Sequence, residues 1–267
     1  MSRASRVLLP FLAIAITTSC GRSVRVTLPA GPGTPFPDFA AAYSQATSAC
    51  REIKTMSASL ALSGRTGSTK LAARIDAGFA EPSRLRLEGY PRVNFGGRPF
   101  FILVADGDTS TLVLVRDDRV LRGASPSAIV EALAGVALDP RELRAVVSGC
   151  GLASAPPTAG RGFANGWAAI DSGDTTVFLR QDDSAWRLVA ARRRSLTIEY
   201  SNFSNGRPGT VHMIASGESG TAPADLTVRT SQVEINMPLT DAVFQVQVPG
   251  SATPISLDEL RRALRSQ

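Results

Sequence analysis

The sequence predicts an α+β protein built on one long, curled antiparallel sheet of about eleven strands, with helices over its concave face. Three observations predict it. Beyond residue 55 apolar and polar residues alternate in segment after segment, as where Met56, Ala58, Leu60 and Leu62 interleave with Ser57, Ser59, Ala61 and Ser63, the period of a half-buried strand. The links between these segments are short, which allows hairpins but not parallel crossovers. Helical periodicity is confined to the start, the middle and the end, so strands follow one another and helices segregate. A sheet of this length accumulates twist and curls, and its concave side must be filled.

Taken in order, Asp38 opens a helix to about Glu52, with Phe39, Ala42, Tyr43 and Ala46 on one stripe. Strands follow from Thr55, from Leu71 to Phe79 after a Gly64–Gly67 turn, and through Leu85 and Leu87 after the Glu81-Pro82 break. A loop from Tyr90 to Pro99 carries Val93 and Phe95 among polar and glycine residues. The next strands run from Pro99 to Ala105, Thr109 to Val115 and Arg119 to Leu121, turning at Asp106-Gly107-Asp108 and Asp117-Asp118, residues that favour tight turns. Ser125-Pro126 then starts a helix, and Asp139-Pro140-Arg141-Glu142 is an acidic capping box that starts a second. After a loop from Gly151 to Gly162, strands resume at Trp167, Thr175, Trp186, Leu196, Thr210 and Asp225, and Phe244, Val246 and Val248 read as the last one. Ser256-Leu257-Asp258-Glu259 opens a terminal helix.

The 267 residues are 43% hydrophobic and 19% charged, with 23 Gly and 17 Pro, a loop-rich globular profile and not one of disorder. The formal charge is +6. Loss of Arg3 and Arg6 with a leader lowers it to +4. Scattered arginines suit a solvated face or an anionic membrane surface, and nucleic acid is not expected as a partner.

The first residues carry the strongest address. Arg3 and Arg6 precede an apolar run from Val7 to Ile16, then small residues through Ser19, the layout of a secretory signal peptide. The run is too short for the ~20 residues of a membrane span. Thr17-Thr18-Ser19-Cys20 resembles the bacterial lipobox, with Thr17 where Leu is usual, and implies diacylglycerol on the Cys20 thiol. The alternative is an ordinary signal peptide cut near Ser19 that leaves Cys20 a free thiol. Residues 1–19 are therefore expected as signal peptide, and 20–37, with six Pro and Gly between Pro29 and Pro37, as a lipidated cysteine and flexible tether. Residues 38–250 form the body, and 251–267 the terminal helix. If Cys20 carries lipid, Cys50 and Cys150 remain as an even pair at two helix ends, expected either as a disulfide or as two buried thiols.

Several phrases then resemble the LolA/LolB-type lipoprotein-carrier superfamily. These are A-S-L-A-L-S-G-R-T-G at Ala58 to Gly67, P-S-R-L-R-L-E at Pro82 to Glu88, F-I-L-V-A-D-G-D at Phe101 to Asp108, and I-N-M-P-L-T-D-A-V-F at Ile235 to Phe244. The resemblance implies an unclosed half-barrel with a helical lid over an apolar cavity for acyl chains. A lipid-anchored member is more like LolB, the outer-membrane receptor, and Gly21 after Cys20 does not match the inner-membrane retention signal. It also implies a membrane- or partner-contacting loop, which would place Val93 and Phe95 in that role. Leu60, Leu62, Ile75, Phe79, Leu87, Ile102, Leu112 and Leu114 are the residues expected to line the cavity.

Catalytic chemistry finds little support. His212 is the one histidine, and no nucleophile motif accompanies it. The cysteines are too dispersed for a metal site. No phosphate-binding glycine loop occurs. The expectation is no enzyme, no catalytic residue, no metal and no cofactor. The chain is expected to be a monomeric lipoprotein anchored in the outer membrane and facing the periplasm, binding lipid or acylated protein, with a periplasmic carrier as a further partner. The competing expectation is a tethered scaffold whose interior is filled by its own side chains.

Overall fold

The computed structural model describes residues 25–92, 97–152, 155–217 and 222–265. Leading strand β1 (Thr34–Pro35) is followed by helix α1 (Phe39–Arg51). The first meander comprises β2 (Thr55–Thr66), β3 (Thr69–Ala80), β4 (Arg84–Pro91), β5 (Phe101–Asp106), β6 (Thr109–Leu114) and β7 (Arg119–Arg122). Helices α2 (Pro126–Ala134) and α3 (Pro140–Ser148) come next. The second meander comprises β8 (Ala159–Phe163), β9 (Trp167–Ser172), β10 (Thr175–Asp182), β11 (Ala185–Arg193), β12 (Leu196–Ser204), β13 (Arg207–Ala215) and β14 (Ala224–Ile235). A 3-10 turn at Asp241–Phe244, strand β15 (Thr253–Ile255) and helix α4 (Leu257–Arg265) complete the chain.

All strands join one unclosed sheet, in the order β1-β8-β9-β10-β11-β12-β13-β14-β2-β3-β4-β5-β6-β7-β15. The two meanders meet where β14 pairs antiparallel with β2. The count is fifteen and not eleven, and the sheet is mixed, because β15 runs parallel to β7. The three strands that the sequence segments leave unnamed, β1, β8 and β15, have no apolar alternation to betray them. β1 has two residues, β15 has three, and β8 is Ala-Gly-Arg-Gly-Phe. The strand expected around Phe244 to Val248 is absent from the sheet. Its first residues form the 3-10 turn, and the segment crosses the outer face, where Arg86 donates to the carbonyls of Val243 and Gln245.

α2, α3 and α4 begin where side chains can satisfy their free amides, whereas Asp38 before α1 makes no side-chain cap bond. Ser125 accepts from Ala128 N and Pro126 takes the first turn of α2. Asp139 and Glu142 form the complete capping box of α3. Both helices end on a left-handed glycine, Gly135 and Gly149. Ser256 and Glu259 bond reciprocally at the start of α4. α1 packs on β8 to β11, α2 on β6 and α4, and α3 on β13 and β4. One side of the sheet is thus covered along its length, and α3 bridges the two meanders over their junction.

Residues 25–36 do not form the flexible tether expected of them. Arg25 pairs with Asp225 at 3.2 Å, the Val26 amide reaches Glu199, Leu28 packs into an outer apolar cluster, and Phe36 contacts Trp186 with ring centroids 5.4 Å apart. Residues 25–33 are a strap across the outer face, after which β1 joins the sheet edge and Phe36 packs with Trp186 on the helix-covered side. Apolar residues placed on that face by β9 to β11 need a cover, which the strap supplies.

Candidate functional site: the helix-covered face of the sheet

Strand alternation places one large apolar cluster between the sheet and the helices. Leu60, Phe79, Leu87 and Leu112 belong to it, each less than a tenth exposed, and Leu62, Ile75 and Leu114 pack at its margin. Ile102 does not belong to it. In β5 the residues turned inward are Phe101, Leu103 and Ala105, and Ile102 packs with Val104, Ala80 and Phe244 on the opposite face. A strand apolar on both faces hides its phase. The phase is set by Phe101, whose ring lies against Gly89, where even one added carbon would stand 2.2 Å from it.

Leu85, Leu103, Ile129, Leu138, Ile170 and Ile198 are fully buried within the cluster, so side chains from both meanders and from the helices fill the concave side. Among the residues described, two hollows lie on the outer face. One of about 360 Å³ runs between Ile102, Val113, Val115 and Pro249. The other, of about 480 Å³, lies beneath the strap beside Phe178, Arg161 and Arg192.

The cover is held unequally. Arg193 and Glu142 form an ion pair over α3, Arg144 bonds the carbonyl of Ile53 and the carboxylate of Glu81, and Gly149 is pressed against Pro208. Cys50 at the end of α1 and Cys150 after α3 are joined with Cα atoms 5.6 Å apart. The Gly151 amide donates to the hydroxyl of Tyr200, whose burial pushes its ionisation well above the ordinary tyrosine range. By contrast, the polar links over α2 are few: Thr66 to the Ala134 carbonyl, Arg261 to Glu131, and Ser110 to the Ala124 carbonyl just before it. α3 is pinned, and among the described contacts α2 rests mostly on apolar packing.

Polar groups cluster on the outer face. Tyr90 donates to Glu88, Arg86 pairs with Glu88, and Arg74 lies over the Tyr90 ring at 4.5 Å. Burial, with the bond to Glu88, pushes Tyr90 up to about 12. Burial would raise Glu88 too, but its bonds from Tyr90 and Arg86 hold it below the usual carboxylate range. His212 lies between Glu199, at 3.4 Å from Nδ1, and Asp225, at 2.7 Å from Nε2. Both ring nitrogens are therefore committed to carboxylates. No group of three potential metal ligands occurs among the described residues. No helix among them is long and apolar enough to cross a membrane. Cys20, Val93 and Phe95 lie outside the described residues.

No protein-family model and no curated protein matches this chain. Solved structures do. A LolA superfamily protein from Nitrosomonas europaea superposes with a TM-score of 0.53 at 15% identity, over 77% of this chain and 97% of that one. A DUF1329 family protein from Desulfovibrio piger gives 0.47 at 11% identity, over 79% and 98%. The first of these, covering nearly all of its partner, fixes the architecture: the chain is built on the LolA-superfamily fold.

Proposed function

We propose that this is a lipid-anchored protein of the bacterial envelope that holds acyl chains, without covalent chemistry, between its sheet and its helices. The observation that supports this most is the asymmetry of the cover over a continuous apolar interior. Acyl chains leave water at about 0.8 kcal/mol per buried CH₂, but here the interior is already packed, so binding requires part of the cover to move. α2, with α4 resting on it, is tied by the side chains of Thr66 and Arg261 and, unlike α1 and α3, shares in no disulfide. In this reading Cys20 bears the anchor, the outer membrane is its site, and a periplasmic carrier or acylated protein brings the ligand.

The packed interior also favours a second reading, a tethered scaffold with no ligand. Hydrogen exchange of the mature chain with and without lysophosphatidylglycerol separates the two, read beside native mass spectrometry of the protein isolated from envelopes. The binder should carry lipid mass, and on uptake the amides of α2 and α4 should change protection several-fold while those of α3 do not. An apo mass with unchanged exchange in all four helices would leave the scaffold standing.

A further inference from the structure

The strap leaves very little chain between the expected anchor and the folded body. Arg25 is fixed to Asp225 on β14, and Cys20 lies only five residues earlier. Five residues fully extended reach no more than about 18 Å. Sheet register arranges what stands near Arg25. Arg192 on β11 is opposite Thr197, Thr197 opposite Ile214, Ile214 opposite Asp225, Asp225 opposite Arg65, and Arg65 opposite Lys70 on β3. This single row crosses six neighbouring strands on the outer face, a span of about 24 Å at the usual strand spacing. Arg192, Arg65 and Lys70 are exposed. Between Arg192 and Lys70 the one carboxylate is Asp225, engaged by both Arg25 and His212, and beyond Arg192 the row passes Thr176 to reach Asp171, which pairs with Arg161.

We infer that this row is the membrane-facing surface of the protein, held against anionic phospholipid headgroups by the short link from Cys20. The inference rests on the anchored reading given above and adds to it a fixed orientation. A long flexible tether would let the body tumble. A docked strap with a link of this reach brings the Arg25 corner to the headgroup layer, and the cations beside it match the negative surface potential of such a layer. The β2–β3 turn, where Lys70 sits, is then near the lipid, and the β5–β6 turn, at the opposite end of those strands by register, points away.

The test uses the mature, acylated full chain in vesicles of phosphatidylethanolamine with phosphatidylglycerol. With Cys20 acylated and Cys50 joined to Cys150, a Lys70→Cys or an Asp108→Cys substitution supplies a single thiol for a fluorophore. A nitroxide-labelled phospholipid should quench the label at position 70 several-fold more than the label at 108. A Gly/Ser insertion between Gly21 and Arg25 should erase that difference. Arg65→Ala should shift the docked fraction about fivefold toward the undocked, the worth of one cation near an anionic surface. Equal quenching at both positions in protein whose intact mass shows acylation overturns the orientation and leaves the anchor in place. A mass without acyl groups overturns both.

Discussion

His212 stands between Glu199 and Asp225 with a side chain only 12% exposed, and it links the sheet to the strap through the Asp225–Arg25 pair. The bond to Glu199 raises its ionisation above the ordinary 6.5, burial opposes this, and Asp225 adds to the rise. A folded-state value above the unfolded one means that the protonated ring stabilises the fold. That contribution is complete below about pH 6.5 and is lost as the pH climbs through the raised folded value. The melting temperature of the wild-type protein should therefore fall from pH 6 toward pH 8, by about 1.4 kcal/mol of stability for each unit by which the ionisation is raised. His212→Gln, which keeps a hydrogen-bonding side chain, should flatten that dependence. A variant whose melting temperature tracks the wild type across this range would mean that the ring stays neutral between its two carboxylates.

The helices show how much of the molecule could be read from sequence, because their ends are chemically marked. Asp139, Pro140 and Glu142 announce α3, and the observed bonds, Asp139 Oδ1 accepting from Glu142 N at 2.8 Å and Glu142 Oε2 accepting from Asp139 N at 3.0 Å, are those of the expected box. Asp139→Ala should cost about 0.5–2 kcal/mol in chemical denaturation. Glu142→Gln, which can still cap, tests the separate ion pair to Arg193. If both variants unfold with the wild type, the cap and the pair contribute nothing to stability. The long strands β2 and β3 were equally legible, since their inner residues alternate without interruption. What escaped is what alternation does not encode. β8 depends on Gly160, which allows Phe36 and α1 to approach closely, a Cβ there falling 2.3 Å from that of Phe39. The inward phase of β5 depended on packing against Gly89, and Ile102 was misplaced for that reason. The strap read as a linker because its prolines and glycines suit both a free chain and an extended one lying on a surface.

At the scale of the molecule, the sheet has apolar residues on both faces, and the two covers have different origins. Helices close the inner face. On the outer face the work falls to two extended segments, residues 25–33 over β9 to β12 and the segment around the 3-10 turn over β3 to β5. The second is fixed by Phe244 and by Arg86, the first by Leu28 over Ala169, Phe178 and Ala190. Since the main cluster lies on the other side of the sheet, the strap should be separable from folding. A chain in which residues 25–33 are replaced by Gly/Ser repeats should keep its near-ultraviolet circular dichroism. It should melt earlier by about 1–2 kcal/mol, the worth of a partly buried leucine and its neighbours, and bind a hydrophobic dye through the uncovered Phe178 and Trp167. Charge reversal of Asp225 should reproduce the loosening in part by releasing Arg25. Unchanged dye binding and melting in the Gly/Ser chain would show that the strap does not cover this face, and the short reach from Cys20 to the body would then no longer orient it.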